Sequence, residues 1–136
     1  MAYTADAVAL LVYLVDGLPD GADRVFAEAE AGETVVQVPS TAFAETLYSV
    51  SRDKDVRGTR LNASPDEVRE ALLANGPVSL VPIGEADLAE YADLLSEFSI
   101  HDALVVASHR ARGTDAVVTS DRVISDVGVP TVWAED

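Results

Sequence analysis

The chain has 136 residues, 49% of them hydrophobic, which predicts one domain over residues 1–136, and its 24 acidic and nine basic residues give a formal charge of -15. Such a charge repels a phosphate backbone and argues against nonspecific nucleic-acid binding, although molar salt screens the repulsion and the composition is that of a salt-adapted, halophilic protein. The absence of cysteine excludes disulfides and thiolate metal sites and is consistent with a reducing compartment.

The N-terminal residues predict a short strand followed by a buried helix. The strand is "AYTA" (residues 2–5), which precedes Asp6, and the helix is the apolar run "AVALLVYLV" from Ala7 to Val15. This run is well under the ~20 residues that a membrane span needs, and acids flank it on both sides. We therefore expect a cytoplasmic protein with no membrane insertion.

The middle of the chain predicts a strand, two helices and a basic segment between them. The continuous apolar run "TVVQVP" (residues 34–39) is typical of a strand buried on both faces. Ser40 is expected to cap a helix that runs to Val50, and a second helix is expected from Ser64 to Ala74. Five of the nine basic residues fall in the basic segment: Arg52, Lys54, Arg57, Arg60 and Arg69. The segment either contacts phosphates, with Arg52, Arg57 and Arg60 as the candidates, or is a solvated surface that balances nearby acids.

The rest of the chain continues to alternate strands and helices. Runs that predict strands are "VSLVP", "DAVVTS" and "VPTVW", and helices are predicted at Glu85 to Phe98 and at Ala103 to Arg112. In the first of these helices an apolar stripe is expected to pack on the core: Leu88, Tyr91, Ala92 and Leu95. Its acids are expected to face solvent: Asp87, Glu90, Asp93 and Glu97. The alternation predicts an α/β fold of three layers, α/β/α, around a short-stranded, mostly parallel central sheet.

Four acids occupy positions where such a sheet binds ligands. Asp6 and Asp121 follow strands, and the carboxyl ends of parallel strands form the ligand-binding edge near a reversal of strand order. Asp102 begins a predicted helix, and Glu45 lies within a helix among uncharged residues, where a capping box does not explain it. Structural roles remain open for the others, because Asp6 and Asp102 could cap the helices that follow them and Asp121 could be a loop residue.

This arrangement of acids resembles the PIN domain, a family of metal-dependent ribonucleases, and within it the small VapC-like toxins. The resemblance rests on "AYTAD" with Asp6, "VPSTAFAETLYSV" with Glu45, "SIHDALVVASHRA" with Asp102 and "DAVVTSD" with Asp121. It covers essentially the whole chain in length and element order. The chain departs from the family at Ala7, where a hydroxyl residue is usual, and in "RVISD", which lacks the common aromatic after the last acid.

The resemblance implies a metal-dependent endoribonuclease. Asp6, Glu45, Asp102 and Asp121 would be the catalytic residues and the ligands of Mg²⁺ or Mn²⁺, which prefer oxygen and can activate water for phosphodiester displacement. It also implies an RNA substrate, an antitoxin protein as partner, and a homodimer. For the dimer contact, the Leu-, Val- and Tyr-rich N-terminal helices are expected to offer apolar surface.

The remaining polar candidates are expected to have supporting roles or none. Thr119 and Ser120 are expected to hydrogen-bond the carboxylates, with ordinary strand-end hydrogen bonding as the alternative, and Asp126 is a candidate fifth acid. His101 is expected to point away from the acids, and His109 to lie about two helical turns from Asp102.

Two other functions remain open from the sequence. One is a catalytically silent PIN-like module that binds RNA or protein. The other is an α/β domain that accepts a phosphoryl group on aspartate, which is disfavoured because such a site needs a well-placed lysine. The single lysine, Lys54, lies in the basic segment.

Overall fold

The computed structural model describes residues 1–53, 55–74 and 76–134, so Lys54 lies outside the described residues. Its strands are β1 (Ala2–Ala5), β2 (Val35–Pro39), β3 (Asp55–Val56), β4 (Thr59–Arg60), β5 (Val78–Val81), β6 (Ala116–Val118) and β7 (Thr131–Val132). Five of them build one parallel sheet in the order β5-β2-β1-β6-β7, whereas β3 and β4 pair as an antiparallel hairpin. The predicted mostly parallel sheet is confirmed.

The helices are α1 (Ala7–Leu14), α2 (Asp20–Glu30), α3 (Ser40–Ser51), α4 (Pro65–Arg69), α5 (Glu85–Leu94), α6 (Ile100–Arg112) and α7 (Arg122–Asp126). A π-helical segment, Glu70–Ala74, continues α4. Helices flank the sheet, as the predicted α/β/α fold requires. Among the described residues, no helix is both long enough and apolar enough to cross a membrane.

The strand order places the first strand at the centre of the sheet. After β1 the chain builds the sheet outwards through β2 and β5, and then returns to add β6 and β7 on the other side. Thr4 of β1 lies in register with Gln37 of β2 and with Val117 of β6. The order of strands therefore reverses at β1, and the residues after β1 and β6 meet at the carboxyl edge of the sheet.

Local sequence signals explain where the middle helices begin. Ser64 and Glu67 form a capping box, with the Ser64 hydroxyl accepting the Glu67 N–H at 3.1 Å and the Glu67 carboxylate accepting the Ser64 N–H at 2.8 Å. The helix predicted to begin at Ser64 is therefore confirmed. The predicted capping role of Ser40 is wrong, because Pro39 is the N-cap residue and Ser40 is already helical.

The predicted orientation of α5 is wrong. Leu88 and Leu95 are 50% and 49% exposed, whereas Asp87, which was expected at the surface, is 2% exposed and Leu94 is 1% exposed. The buried stripe is displaced by one residue from the predicted one. It includes a carboxylate, one oxygen of which, Oδ2, is paired. Asp87 accepts the backbone N–H of Gly84 at 2.8 Å and lies 3.4 Å from the guanidinium of Arg112.

Candidate metal centre

β1 and β6 are neighbours, so the acids that follow them meet at one edge of the sheet. The backbone N–H of Asp6 donates to the carbonyl of Val118 at 3.3 Å, which continues the pairing beyond the two strands. The Thr119 hydroxyl then joins the two acids: it donates to the Asp6 carboxylate and accepts the backbone N–H of Asp121 at 3.0 Å. Thr119 therefore holds the carboxylate of one acid and the backbone of the other.

Both acids also cap helices. The Asp6 carboxylate accepts the N–H of Ala9 in α1, and the Asp121 carboxylate accepts the N–H of Val123 in α7, each at 2.9 Å. Helix α7 was not predicted, so the capping role of Asp121 was missed. The second oxygen of each carboxylate is not used by the cap, so capping and a role in a site are compatible.

Helices α3 and α6 carry the other two acids to the same place. Glu45 lies in the second turn of α3, and its side chain is 40% exposed. Helix α6 begins at Ile100 with Ser99 as its N-cap residue, three positions earlier than the predicted start. The alternative that Asp102 only caps this helix is therefore excluded, because Asp102 lies in the first turn.

The structure brings all four acids around one pocket of about 230 Å³. Its lining consists of Asp6, Ala7, Val8, Glu45, His101, Asp102, Val105, Ser120 and Asp121. No lysine or arginine is among these residues. The acids therefore face each other across the pocket without a permanent positive charge beside them.

The electrostatics of two acids show the effect of this crowding. Burial, with the charges of Asp121 and Glu45, raises the pKa of Asp6 from 3.8 to about 6, against the opposing hydrogen bonds from Thr119 and Ala9. Burial and the neighbouring Asp121 carboxylate, with a smaller contribution from Asp6, raise the pKa of Asp102 to about 6. Both groups therefore hold their protons to a higher pH than an ordinary aspartate does.

The oxygen atoms of the four carboxylates are chemically suited to a hard divalent cation. Carboxylate oxygens are the ligands that Mg²⁺ and Mn²⁺ prefer, and a bound cation would offset the burial and mutual repulsion that raise the pKa values of Asp6 and Asp102. Within the described residues, no three acid or histidine side chains are already close enough to bind one ion together. Side-chain rotation would have to draw the carboxylates inward when an ion binds.

His101 was expected to point away from the acids, and this is wrong. It lines the pocket, and its Nδ1 lies 3.5 Å from the Glu45 carboxylate. It lies in the first turn of α6, the same turn that carries Asp102 to the pocket. His109 does lie elsewhere, since its Nδ1 shares a hydrogen bond of 2.7 Å with the Thr114 hydroxyl.

The supporting residues are placed unequally. Thr119 contacts two acids, as described above, and Ser120 lines the pocket. Ala7 also lines the pocket and offers no hydroxyl to Asp6, whose carboxylate accepts the hydroxyl of Thr119. The candidate fifth acid, Asp126, is exposed at the end of α7 and does not line the pocket.

The basic segment contains two arginines that stack on aromatic rings. The Arg52 guanidinium lies 4.8 Å from the centroid of the Tyr48 ring, and that of Arg57 lies 5.4 Å from the centroid of Trp133. Arg57 has a φ of 50°, a left-handed conformation that is uncommon for arginine, in the turn of the β3–β4 hairpin. Arg60 is exposed in β4.

Arg69 fits the alternative that the basic segment is a solvated surface balancing nearby acids, because its guanidinium pairs with Asp66 at 2.8 Å. The pocket lining includes none of the arginines. The structure thus places the candidate phosphate contacts outside the acidic pocket, at the end of α3 and on the hairpin that follows it.

Comparison with known proteins identifies the family and the fold. A sequence model of the PIN domain matches residues 6–130. The chain is similar to VapBC2 from Rickettsia felis, solved bound to a DNA fragment from their promoter, with a TM-score of 0.71 and 15% identity over 96% of this chain and 97% of that one. It is also similar to VapC20 from Mycobacterium tuberculosis, described as a Sarcin-Ricin loop cleaving toxin, with a TM-score of 0.66 and 18% identity over 93% and 95% of the two chains.

A third similar structure is VapBC-1 from nontypeable Haemophilus influenzae, with a TM-score of 0.61 and 14% identity over 96% of each chain. A search of curated protein sequences finds no match. At these sequence identities the likeness shows a shared fold, and this fold covers nearly the whole of each chain.

Proposed function

The chain belongs to the PIN domain family, and from that premise we propose that it is a divalent-metal-dependent endoribonuclease of the VapC-like toxin group. The observation that carries the proposal is the convergence of four carboxylates on one pocket that no lysine or arginine lines. Such a group of acids costs folding free energy in the absence of a cation, so a structural role alone does not explain it.

In this proposal Asp6, Glu45, Asp102 and Asp121 hold Mg²⁺ or Mn²⁺. The bound cation would lower the pKa of a coordinated water and stabilise charge on the phosphodiester oxygens. Metal binding would also release the protons that Asp6 and Asp102 hold near pH 6. Metal affinity is therefore expected to rise with pH between about 5 and 7.

The other residues of the site orient these ligands. Thr119 fixes the Asp6 carboxylate and the backbone of Asp121, and the two helix caps hold one oxygen of each of these acids. The Nδ1 of His101 lies 3.5 Å from the Glu45 carboxylate.

The RNA backbone is proposed to approach along the basic segment. Three exposed arginines follow Glu45 in the sequence: Arg52, Arg57 and Arg60. The net charge of -15 makes most of the remaining surface repulsive to phosphate. We assign phosphate contacts to these three arginines.

An antitoxin and a second copy of the chain are the proposed protein partners. Two of the similar structures are described as VapBC complexes, which supports a partner of the antitoxin class. The dimer contact predicted on the N-terminal helix stays a proposal, since Leu10 and Val12 of α1 are buried within the subunit but Val8 is 43% exposed. The exposed Leu88 and Leu95 of α5 are a second candidate for a contact between copies.

A cleavage assay distinguishes the nuclease from a silent binding module of the same fold. A panel of structured RNAs would be incubated with the protein in Mn²⁺, in Mg²⁺ and in EDTA, with Asp121→Asn as the matched variant. A nuclease cleaves at discrete positions with metal only, and Asp121→Asn loses this cleavage. RNA that is bound but left intact by the wild type in every condition identifies the silent module instead.

A further inference from the structure

One face of α3 extends from the acidic pocket to the basic segment. Glu45, Tyr48 and Arg52 are spaced i, i+3 and i+7, so their side chains follow one another along the same side of the helix. Glu45 lines the pocket, whereas Arg52 is the C-cap residue of α3 and is exposed. The distance from the first to the last of these positions is about 10 Å along the helix axis.

Tyr48 is exposed on this face and is not one of the α3 residues that are buried in the core. Its exposed fraction is 56%, and the opposite face of α3 contributes Ala42, Phe43, Thr46 and Val50 to the interior. A large aromatic ring left in solvent beside a functional pocket is a common feature of nucleic-acid-binding surfaces, because the ring can stack on a base.

The guanidinium of Arg52 lies beside the exposed ring of Tyr48, so the two groups form one surface. The distance from the guanidinium to the ring centroid is 4.8 Å. Among the residues that the structure describes, no carboxylate forms a salt bridge with Arg52. A guanidinium plane and an aromatic ring both stack on nucleobases, and the guanidinium also attracts phosphate.

We propose that Tyr48 and Arg52 form a stacking platform for an unpaired base of the RNA, next to the phosphodiester that the acidic pocket receives. The platform would make RNA with an unpaired nucleotide beside the cleaved bond the preferred substrate, because a paired base keeps its faces within the helix stack. This inference rests on the proposed ribonuclease function and adds a specificity determinant to it.

A pair of substitutions at Tyr48 tests stacking separately from apolar contact. Tyr48→Phe keeps an aromatic ring, and Tyr48→Leu keeps an apolar side chain without one. The binding of two fluorescent RNAs to the wild type and both variants would be measured by anisotropy in EDTA: a hairpin with an unpaired loop, and a blunt duplex. In the same assay Arg52→Gln removes the guanidinium of the platform, and Arg69→Gln serves as its control for removing an exposed arginine, since Arg69 already pairs with Asp66.

We expect Tyr48→Leu to bind the hairpin about tenfold more weakly than the wild type, a loss within the range that base–aromatic stacking supplies. Arg52→Gln should also weaken hairpin binding, whereas Tyr48→Phe and Arg69→Gln should match the wild type. Duplex binding should change in neither Tyr48 variant. Single-turnover cleavage of the hairpin in Mn²⁺ should fall in Tyr48→Leu in parallel with binding.

Different outcomes separate the failure of the platform from that of the function. If the wild type cleaves RNA and Tyr48→Leu binds and cleaves the hairpin equally well, the platform is wrong and the nuclease remains. If Tyr48→Leu changes the mass measured by light scattering and not RNA affinity, the ring belongs to a protein interface and the platform is overturned. If the wild type neither binds nor cleaves any RNA, both proposals fail.

Discussion

Replacement of Asp6 by asparagine measures the electrostatic cost of the acidic pocket. Burial and nearby carboxylates raise the pKa of Asp6 from 3.8 to about 6, so the native state holds this proton more tightly than the unfolded chain does. The contribution of the group to stability is therefore most favourable below pH 4 and becomes less favourable as the pH rises to about 7. At about 1.36 kcal/mol per pKa unit, the ionised carboxylate costs the native state up to about 3 kcal/mol above pH 7.

Asparagine removes this charge, and its single oxygen can still accept the N–H of Ala9. Its amide nitrogen then stands where Oδ2 accepts the Thr119 hydroxyl, and the loss of that hydrogen bond costs about 0.5–1.5 kcal/mol. The lost attraction between a carboxylate and the start of α1 offsets about 0.3–1 kcal/mol of the gain. Asp6→Asn is therefore expected to be more stable than the wild type by about 1–2 kcal/mol at pH 8 in EDTA. At pH 5, where the wild-type group is mostly protonated, the difference should shrink towards zero.

Urea denaturation at the two pH values and at constant salt would measure these differences. Asp93→Asn, which removes an exposed acid from α5, is the control for a general reduction of net charge. A destabilised Asp6→Asn at pH 8, or a difference from the wild type that is the same at both pH values, would refute the assigned cost of burial and crowding.

The net charge, the basic segment and the dimer each provide one further test. The melting temperature should rise between 0.1 and 2 M KCl, because ions screen the self-repulsion of a chain with charge -15. An unchanged melting temperature would mean that the acidic composition is not an adaptation to salt. Replacing Arg52, Arg57 and Arg60 by glutamine should weaken RNA binding and lower the salt slope by about 2, whereas unchanged affinity would mean a solvated surface. Light scattering should give a dimer that Leu88→Lys with Leu95→Lys converts to a monomer, and a wild-type monomer would contradict the proposed contact.

The sheet and the meeting of its acids could be predicted because the signals were local. Continuous apolar runs mark strands buried on both faces, and Val36, Val38, Val117 and Val118 are indeed fully buried. The rule that ligands gather at the carboxyl ends of parallel strands, near a reversal of strand order, placed Asp6 beside the acid that follows β6. The resemblance in motifs supplied the rest of the acidic group.

The errors came from features that depend on tertiary contacts. The apolar periodicity of α5 is compatible with two buried stripes that share Tyr91, one with Leu88 and one with Asp87. The stripe with Asp87 is the buried one, since this carboxylate pairs with Gly84 and Arg112. His101 was misplaced because the start of α6 was set three residues too late. Short elements such as the β3–β4 hairpin and α7 carry too few residues for periodicity to reveal them.

Calorimetric titration with Mn²⁺ tests the central claim, that the four carboxylates form one metal site, most directly. The wild type, Asp102→Asn and Asp121→Asn would be compared at pH 7.5, with Asp126→Asn as the control because this acid lies outside the pocket. The account predicts that the wild type and Asp126→Asn bind Mn²⁺ equally, and that the two pocket variants bind it about tenfold more weakly or not at all. Equal Mn²⁺ affinity in the wild type and both pocket variants would contradict the claim.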